Sequence, residues 1–151
     1  MPLTSLEQII PLLRDAVGPV ILISGVGLLL LTMTNRMGRA IDRARAMTHE
    51  LAAQTGLEQA RTQAQIDIIY RRARIIRLAI LFSVTSALLA AVLVVTVFVS
   101  AWLQWRQGWP LGVIFVGCLL SLCASLIAFM GDINLSLHAL KLELEPLPPE
   151  K

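Results

Sequence analysis

The chain has 151 residues, of which 56% are apolar and 15% are charged. Soluble domains are typically half apolar and about a quarter charged, so this composition excludes an ordinary soluble domain. The net charge of +3 is uneven: residues 35–77 carry nine arginines against four acids, whereas residues 132–151 carry four acids against two lysines. A basic stretch beside a membrane favours anionic lipid as its partner. Without a basic motif interleaved with aromatic residues, nucleic acid is not predicted as a partner.

The N-terminal segment, residues 1–16, begins with a helix-capping pattern at Thr4 and Glu7. Pro11 limits the helix that follows to a short or kinked one, because proline lacks a backbone N–H and clashes with the preceding turn. We expect this segment to lie at the periplasmic membrane interface. Since no basic stretch precedes the first apolar run and a basic stretch follows it, that run is predicted to be a retained span, not a cleaved signal peptide.

Residues 17–34 are predicted to form span one, with Pro19 in its first turn. No breaker follows, and apolar residues continue at spacings of three and four through Met37, Ile41, Ala44, Met47 (or Thr48) and Leu51. Gly56 is the first strong breaker, and a second helix is predicted to begin near Glu58. Its inner stripe comprises Ile66, Ile69, Tyr70, Ala73, Ile76 and Ile80.

The helical arms on either side of Gly56 have matching lengths. Residues 35–51 would extend about 25 Å and residues 60–75 about 24 Å. Two such arms joined by a short polar turn predict an antiparallel helical hairpin over residues 35–77. Since an arginine-rich loop beside membrane spans stays in the cytoplasm, we expect this hairpin to be cytoplasmic.

Two further spans are predicted, span two at residues 78–104 and span three at residues 111–131. The loop between them, residues 105–110, lies within a cluster of all three tryptophans, which is typical of a membrane interface, here the periplasmic one. The tail, residues 132–151, continues with leucines at helical spacing and ends in a Pro-rich tip. The fold class is therefore all-α, with three spans, a periplasmic N-terminus and a cytoplasmic C-terminus in the bacterial inner membrane.

The densest motif is T-N-R-x-G-R-x-x-D-R-x-R at residues 34–45. On a helix, Asp42 lies one turn from Arg39 and Arg45, which predicts a ladder of ion pairs. Three interpretations stay open: a topology anchor, a lipid-headgroup or anion site, or a partner-docking surface. The candidate cluster comprises Arg36, Arg39, Asp42, Arg43, Arg45, Arg71, Arg72, Arg74, Arg77 and Asp132. Gly38 is costly inside a helix, and we expect it to let another helix approach closely.

This motif, the apolar run from Pro19 that precedes it, and the arginine-rich start of span two resemble a bacterial membrane family catalogued as domain of unknown function 2721. The resemblance covers roughly residues 15–145. It implies a three-span inner-membrane protein and no known activity. Members often carry an acid just after the third span, and Asp132 is similar in position to that residue.

Asp132 has two interpretations. It is either a solvated helix end or the partner of Arg36 or Arg77 in an ion pair that locks span three to the hairpin. The second would make it costly to remove, because breaking one side of a buried pair leaves an uncompensated charge.

Small and hydroxyl-bearing residues mark the spans. Steps of four place Gly117, Ser121 and Ser125 on one face of span three, which suits close packing within the chain or between copies. Cys118 and Cys123 are interpreted as packing residues. One face of span two is a candidate pore lining, in which leucines lie between hydroxyl-bearing residues. It comprises Thr85, Ser86, Leu89, Leu93, Thr96 and Ser100.

No catalytic constellation, nucleotide loop or metal-ligand spacing is found in the sequence, so no enzyme, metal or cofactor is predicted. The main prediction is a homo-oligomeric membrane protein, with ion or small-solute conduction along span two as its most concrete activity. The alternative is a membrane-anchored scaffold or accessory subunit whose basic hairpin binds anionic lipid or a protein partner that the sequence does not identify.

Overall fold

The computed structural model describes residues 6–51, 55–103 and 108–144, and the side chains within them except those of residues 6–8, 50, 57, 58, 60, 61 and 137–144. The elements are three α-helices: α1 (Leu6–Leu51), α2 (Leu57–Trp102) and α3 (Trp109–Leu144). The described part of the chain is therefore all-α, as predicted.

Helix α1 is a single element of 46 residues that contains both Pro11 and Pro19. The N-terminal residues 6–16 and the predicted span one, residues 17–34, therefore belong to one helix, and Pro19 lies within that helix. Each proline removes only one N–H from the ladder, and the remaining hydrogen bonds are retained because unsatisfied backbone groups are costly in apolar surroundings. Thr4 and its capping pattern lie outside the described residues.

The predicted breaker at Gly56 and the predicted helix start near Glu58 agree with the structure. Helix α1 ends at Leu51, the last residue of its predicted apolar stripe. Helix α2 begins at Leu57, directly after Gly56, whose φ is +75°. Helix α3 is continuous to Leu144, so the tail extends span three as a helix. The side chains of Leu137, Leu140 and Leu144 in this tail are not described, and neither are Trp105 or the C-terminal tip.

The pattern of exposure is the reverse of that in a soluble protein. Large apolar side chains lie on the surface, such as Leu28 at 69% exposure, Leu88 at 62% and Ile127 at 73%. The fully buried polar residues are Ser83, Ser86, Ser125 and Asp132. All three helices are long and apolar enough to cross a membrane, over Ile9–His49, Thr62–Trp102 and Trp109–Ser136. Hydrocarbon as the solvent explains both observations, so the protein is a membrane protein.

The chain forms two compact units. The first unit comprises Met1–Thr32 and Ile80–Ser125, and the second comprises Met33–Ala79 and Leu126–Lys151. The buried apolar side chains of the first unit are Ala16, Val26, Ala90, Leu93 and Cys118. Those of the second unit are Met33, Ile69, Ile76 and Ala79.

Candidate functional site

The centre of the second unit's polar site is Asp132, a carboxylate on α3 with no exposed surface. Two arginines from different helices reach it: Arg36 from α1 and Arg72 from α2. Ser136 lies one turn further along α3, and a spacing of four places it on the same helix face as Asp132. Three helices therefore contribute side chains to one cluster, which we call the Asp132 site: Arg36, Arg72, Asp132 and Ser136.

The two arginines approach different oxygens of the carboxylate. Arg36 Nη2 lies 3.2 Å from Asp132 Oδ2, and Arg72 Nε donates to Asp132 Oδ1 at 3.5 Å. Both guanidinium groups also donate to Ser136 Oγ, Arg36 from Nη2 at 3.4 Å and Arg72 from Nη2. Arg36 was one of the two partners expected for Asp132, and that ion pair is present. The second partner is Arg72 and not Arg77.

The contact of Arg36 with Asp132 is an ion pair by distance but not a hydrogen bond by angle. Asp132 Oδ2 is buried and accepts no hydrogen bond from any described residue. The N–H bonds of Arg36 therefore point elsewhere, one of them to Ser136. The Phe129 ring lies under the guanidinium of Arg36, with the carbon of the guanidinium 5.3 Å from the ring centroid. This cation–π contact restrains the guanidinium, whose N–H donors project from its edge.

The charges of the Asp132 site do not cancel. Arginine is always protonated in proteins, so Arg36 and Arg72 bring two positive charges to the single carboxylate. Each arginine side chain is 25% exposed, whereas the carboxylate is fully buried. The site therefore presents one excess positive charge to its surroundings and hides its only negative charge.

Outside this site, the described arginine side chains between residues 35 and 77 lie on the surface. The exposed ones are Arg39, Arg43, Arg45, Arg71, Arg74 and Arg77. Arg74 stacks on Tyr70, one turn earlier on α2, at 5.3 Å from the ring centroid. The ladder expected around Asp42 does not form: this exposed carboxylate has no ion pair with Arg39 or Arg45 in the described part of the chain. Solvated side chains gain little from such pairs, which explains the difference.

The candidate pore lining does not lie on one open face. Ser86 is buried, and its hydroxyl donates to the carbonyl oxygen of Cys118 on α3 at 3.0 Å. Leu93 is also buried and lines an apolar cavity of about 240 Å³. Thr85 and Thr96 donate to their own helix, to the carbonyl oxygens of Leu81 and Val92. Leu89 and Ser100 are half-buried.

The small-residue face of α3 packs against α2 within the first unit. The hydroxyls of Ser83 and Ser125 lie 2.6 Å apart, and Ser121 donates to the carbonyl oxygen of Phe82 at 2.9 Å. A Cβ at Gly117 would lie 3.7 Å from Leu89 Cδ1, which is ordinary packing contact. This face is therefore used inside the chain. Cys118 is buried in the same interface, whereas Cys123 is exposed.

A Cβ at Gly38 would meet nothing within 4 Å among the described residues, so none of the described helices approaches it closely. Ser136 was not singled out from the sequence, although its spacing of four from Asp132 is a readable signal.

Residues 16–142 match a family described as "Protein of unknown function (DUF2721)". The chain has no significant match among curated proteins or solved structures.

Proposed function

The chain belongs to the DUF2721 family, and we propose on that premise that it is a non-enzymatic membrane protein whose basic segment, residues 35–77, associates with anionic phospholipid headgroups on the cytoplasmic side. In this proposal residues 17–34, 78–104 and 111–131 cross the inner membrane. Residues 35–77 form a cytoplasmic helical hairpin, and the N-terminus is periplasmic. The excess of arginine in this segment supports the orientation, because basic loops are retained on the cytoplasmic side.

The observation that carries the proposal is the exposure of six arginines in this segment, while Arg36 and Arg72 alone among its described arginines contact Asp132. Polybasic segments beside a membrane gain about 1 kcal/mol per arginine from anionic lipid, and the gain falls off within a Debye length of about 10 Å. Of the six exposed arginines, Arg39 lies closest to the proposed end of span one and Arg77 closest to the proposed start of span two. These arginines can therefore reach lipid phosphates without any rearrangement of the helices.

Distance from the span predicts which arginines matter. With a rise of about 1.5 Å per residue, Arg39 lies about 8 Å beyond Thr34 and Arg45 about 16 Å beyond it. Arg39 is within the range of the lipid surface potential, whereas Arg45 is outside it. The two residues carry the same charge on the same helix, so they form a matched pair of test positions.

The test uses purified protein reconstituted in vesicles with a spin-labelled anionic phospholipid or spin-labelled phosphatidylcholine. We expect the boundary lipid to be enriched in the anionic species at low salt, and the enrichment to fall at high salt. Arg39→Gln should lower the enrichment up to about fivefold, the equivalent of 1 kcal/mol, and Arg45→Gln should lower it much less. No enrichment, or equal effects of the two variants, would contradict the proposal.

A second candidate is a homo-oligomer that packs through the surface of α1 and α2. Ile41 and the largely exposed Tyr70 line an apolar cavity of about 400 Å³ in the second unit, which a second copy would cover. Conduction along α2 would require such an assembly, with Thr85 and Thr96 facing the path. Flux through liposomes that Thr96→Trp blocks would support a channel. Absent flux together with retained anionic-lipid enrichment would support the first candidate.

A further inference from the structure

We infer that the Asp132 site is a discrete binding site for one phosphate group, which the headgroup of an anionic phospholipid supplies. The inference rests on the proposed function in one respect, namely that this part of the protein lies at the cytoplasmic headgroup layer. It goes further because it assigns one binding site per chain to Arg36 and Arg72. This site is additional to the basic surface of the proposed function.

The Asp132 site carries an excess of positive charge. The site holds two guanidinium groups and one carboxylate, so one positive charge is left over. A phosphodiester carries one negative charge and would neutralise the site. Close to hydrocarbon, an uncompensated charge is costly, so the gain from neutralisation exceeds that at a fully solvated arginine.

The two guanidinium groups have spare hydrogen-bond donors. Each guanidinium offers five N–H bonds. Arg36 uses Nη2 towards Ser136, and Arg72 uses Nε towards Asp132 and Nη2 towards Ser136. Most donors of the two groups thus have no acceptor among the described residues. Phosphate oxygens are the acceptors that match the planar fork of arginine best.

The Asp132 site is accessible and preorganised. Both arginine side chains remain 25% exposed, while Asp132 is fully buried, so an incoming anion can reach the arginines but not the carboxylate. The cation–π contact with Phe129 restrains the Arg36 guanidinium, and Ser136 accepts from both arginines. The donors are therefore restrained before the phosphate arrives, which reduces the entropic cost of binding.

The test measures binding of dihexanoyl phosphatidylglycerol, dihexanoyl phosphatidylcholine and inorganic phosphate to purified protein in a neutral detergent. The readouts are ligand-dependent thermal stabilisation and native mass spectrometry. We expect phosphatidylglycerol to bind saturably with one tight event per chain, and zwitterionic phosphatidylcholine to bind more weakly. Equal saturation by inorganic phosphate would support the phosphate site and assign it to free phosphate instead of lipid.

Arg72→Lys is the informative variant because it keeps the charge and removes the planar fork. We expect it to weaken phosphatidylglycerol binding about tenfold or more, the loss of one charge-assisted hydrogen bond. Arg71→Lys is the comparison variant, because Arg71 is the exposed neighbour of Arg72, and a discrete Asp132 site predicts a smaller loss of binding there than at Arg72. Equal weakening in both variants would overturn the inference in favour of a diffuse surface.

If Arg72→Lys fails to fold, binding to the wild-type protein still tests whether the Asp132 site binds one phosphate group. Absence of a saturable first binding event for phosphatidylglycerol and for phosphate would overturn the inference. Such a result would leave the broader proposal standing if Arg39→Gln still lowered boundary-lipid enrichment. Conversely, a tight single site without any enrichment at the boundary would retain this inference and remove the basic surface as a lipid-binding element.

Discussion

Arg36 and Arg72, on α1 and α2, donate to the same hydroxyl oxygen of Ser136 and contact opposite oxygens of the Asp132 carboxylate. One carboxylate on α3 thus joins a side chain from each of the other two helices. Since the carboxylate is fully buried, this junction contributes to the packing of the second unit as well as to its electrostatics.

Removing the charge of Asp132 should destabilise the protein strongly. Asp132→Asn leaves two guanidinium groups without their counter-charge, and breaking one side of a buried ion pair costs about 3–5 kcal/mol. Thermal unfolding in detergent should show a clearly lower melting temperature. Asp67→Asn is the control, because Asp67 is an exposed acid of α2 and should be nearly neutral. Similar melting temperatures for Asp132→Asn and wild type would show that the junction contributes nothing to stability.

The partner of Asp132 illustrates what the sequence could and could not predict. Its position just after a long apolar run restricted its partners to arginines at the ends of spans one and two. The sequence could not identify Arg72 as the partner on α2. At about 100° per residue, the arginines of this stretch are distributed around the helix: Arg71, Arg72, Arg74 and Arg77. Which one meets α3 depends on how the two helices are rotated, which is a tertiary property.

The same limit affected the candidate pore lining. Thr85 and Ser86 are neighbours in sequence, yet Thr85 is exposed and Ser86 is buried against α3. The helices themselves were predictable, since long apolar runs and the breaker Gly56 fix their type and most of their ends. Helix α1 runs through both Pro11 and Pro19, because an apolar solvent favours an intact helix despite the backbone N–H that each proline lacks.

The hydroxyl pair of Ser83 and Ser125 should contribute modestly. Interhelical hydrogen bonds in membranes average about 0.6 kcal/mol, with a maximum of about 1.7 kcal/mol. A double-mutant cycle with Ser83→Ala and Ser125→Ala should therefore give a coupling energy in this range. Thr85→Ala is the control on the same helix, because its hydroxyl donates only to its own helix. A coupling energy near zero would mean that the short contact has no energetic role.

Gly38→Ala should stabilise the isolated chain. A Cβ at this position meets nothing within 4 Å, and alanine is favoured over glycine in a helix interior by about 1 kcal/mol. We expect a higher melting temperature for the detergent-solubilised protein. A lower one would mean that another helix, such as that of a second copy, contacts Gly38.

Substitution of Gly56, unlike that of Gly38, should lower the stability of the protein. Its φ of +75° is a left-handed conformation, which costs a side chain about 1–2 kcal/mol. Gly56→Ala should therefore lower stability, and Gly56→Asn should lower it less, because asparagine tolerates this conformation better. Thr55→Ala is the neighbouring control. Equal stability of Gly56→Ala and wild type would show that the turn adapts without strain.

The orientation of the basic segment is the premise of both proposals, and thiol labelling tests it most directly. In a background with Cys118→Ser and Cys123→Ser, a single cysteine is introduced as Thr55→Cys, with Gly108→Cys as the control in the connection between α2 and α3. Intact cells are treated with a maleimide that cannot cross membranes, before and after lysis. We predict that the thiol at residue 108 reacts in intact cells and that the thiol at residue 55 reacts only after lysis. Labelling at residue 55 in intact cells, with protection at residue 108, would contradict the cytoplasmic placement of the arginines.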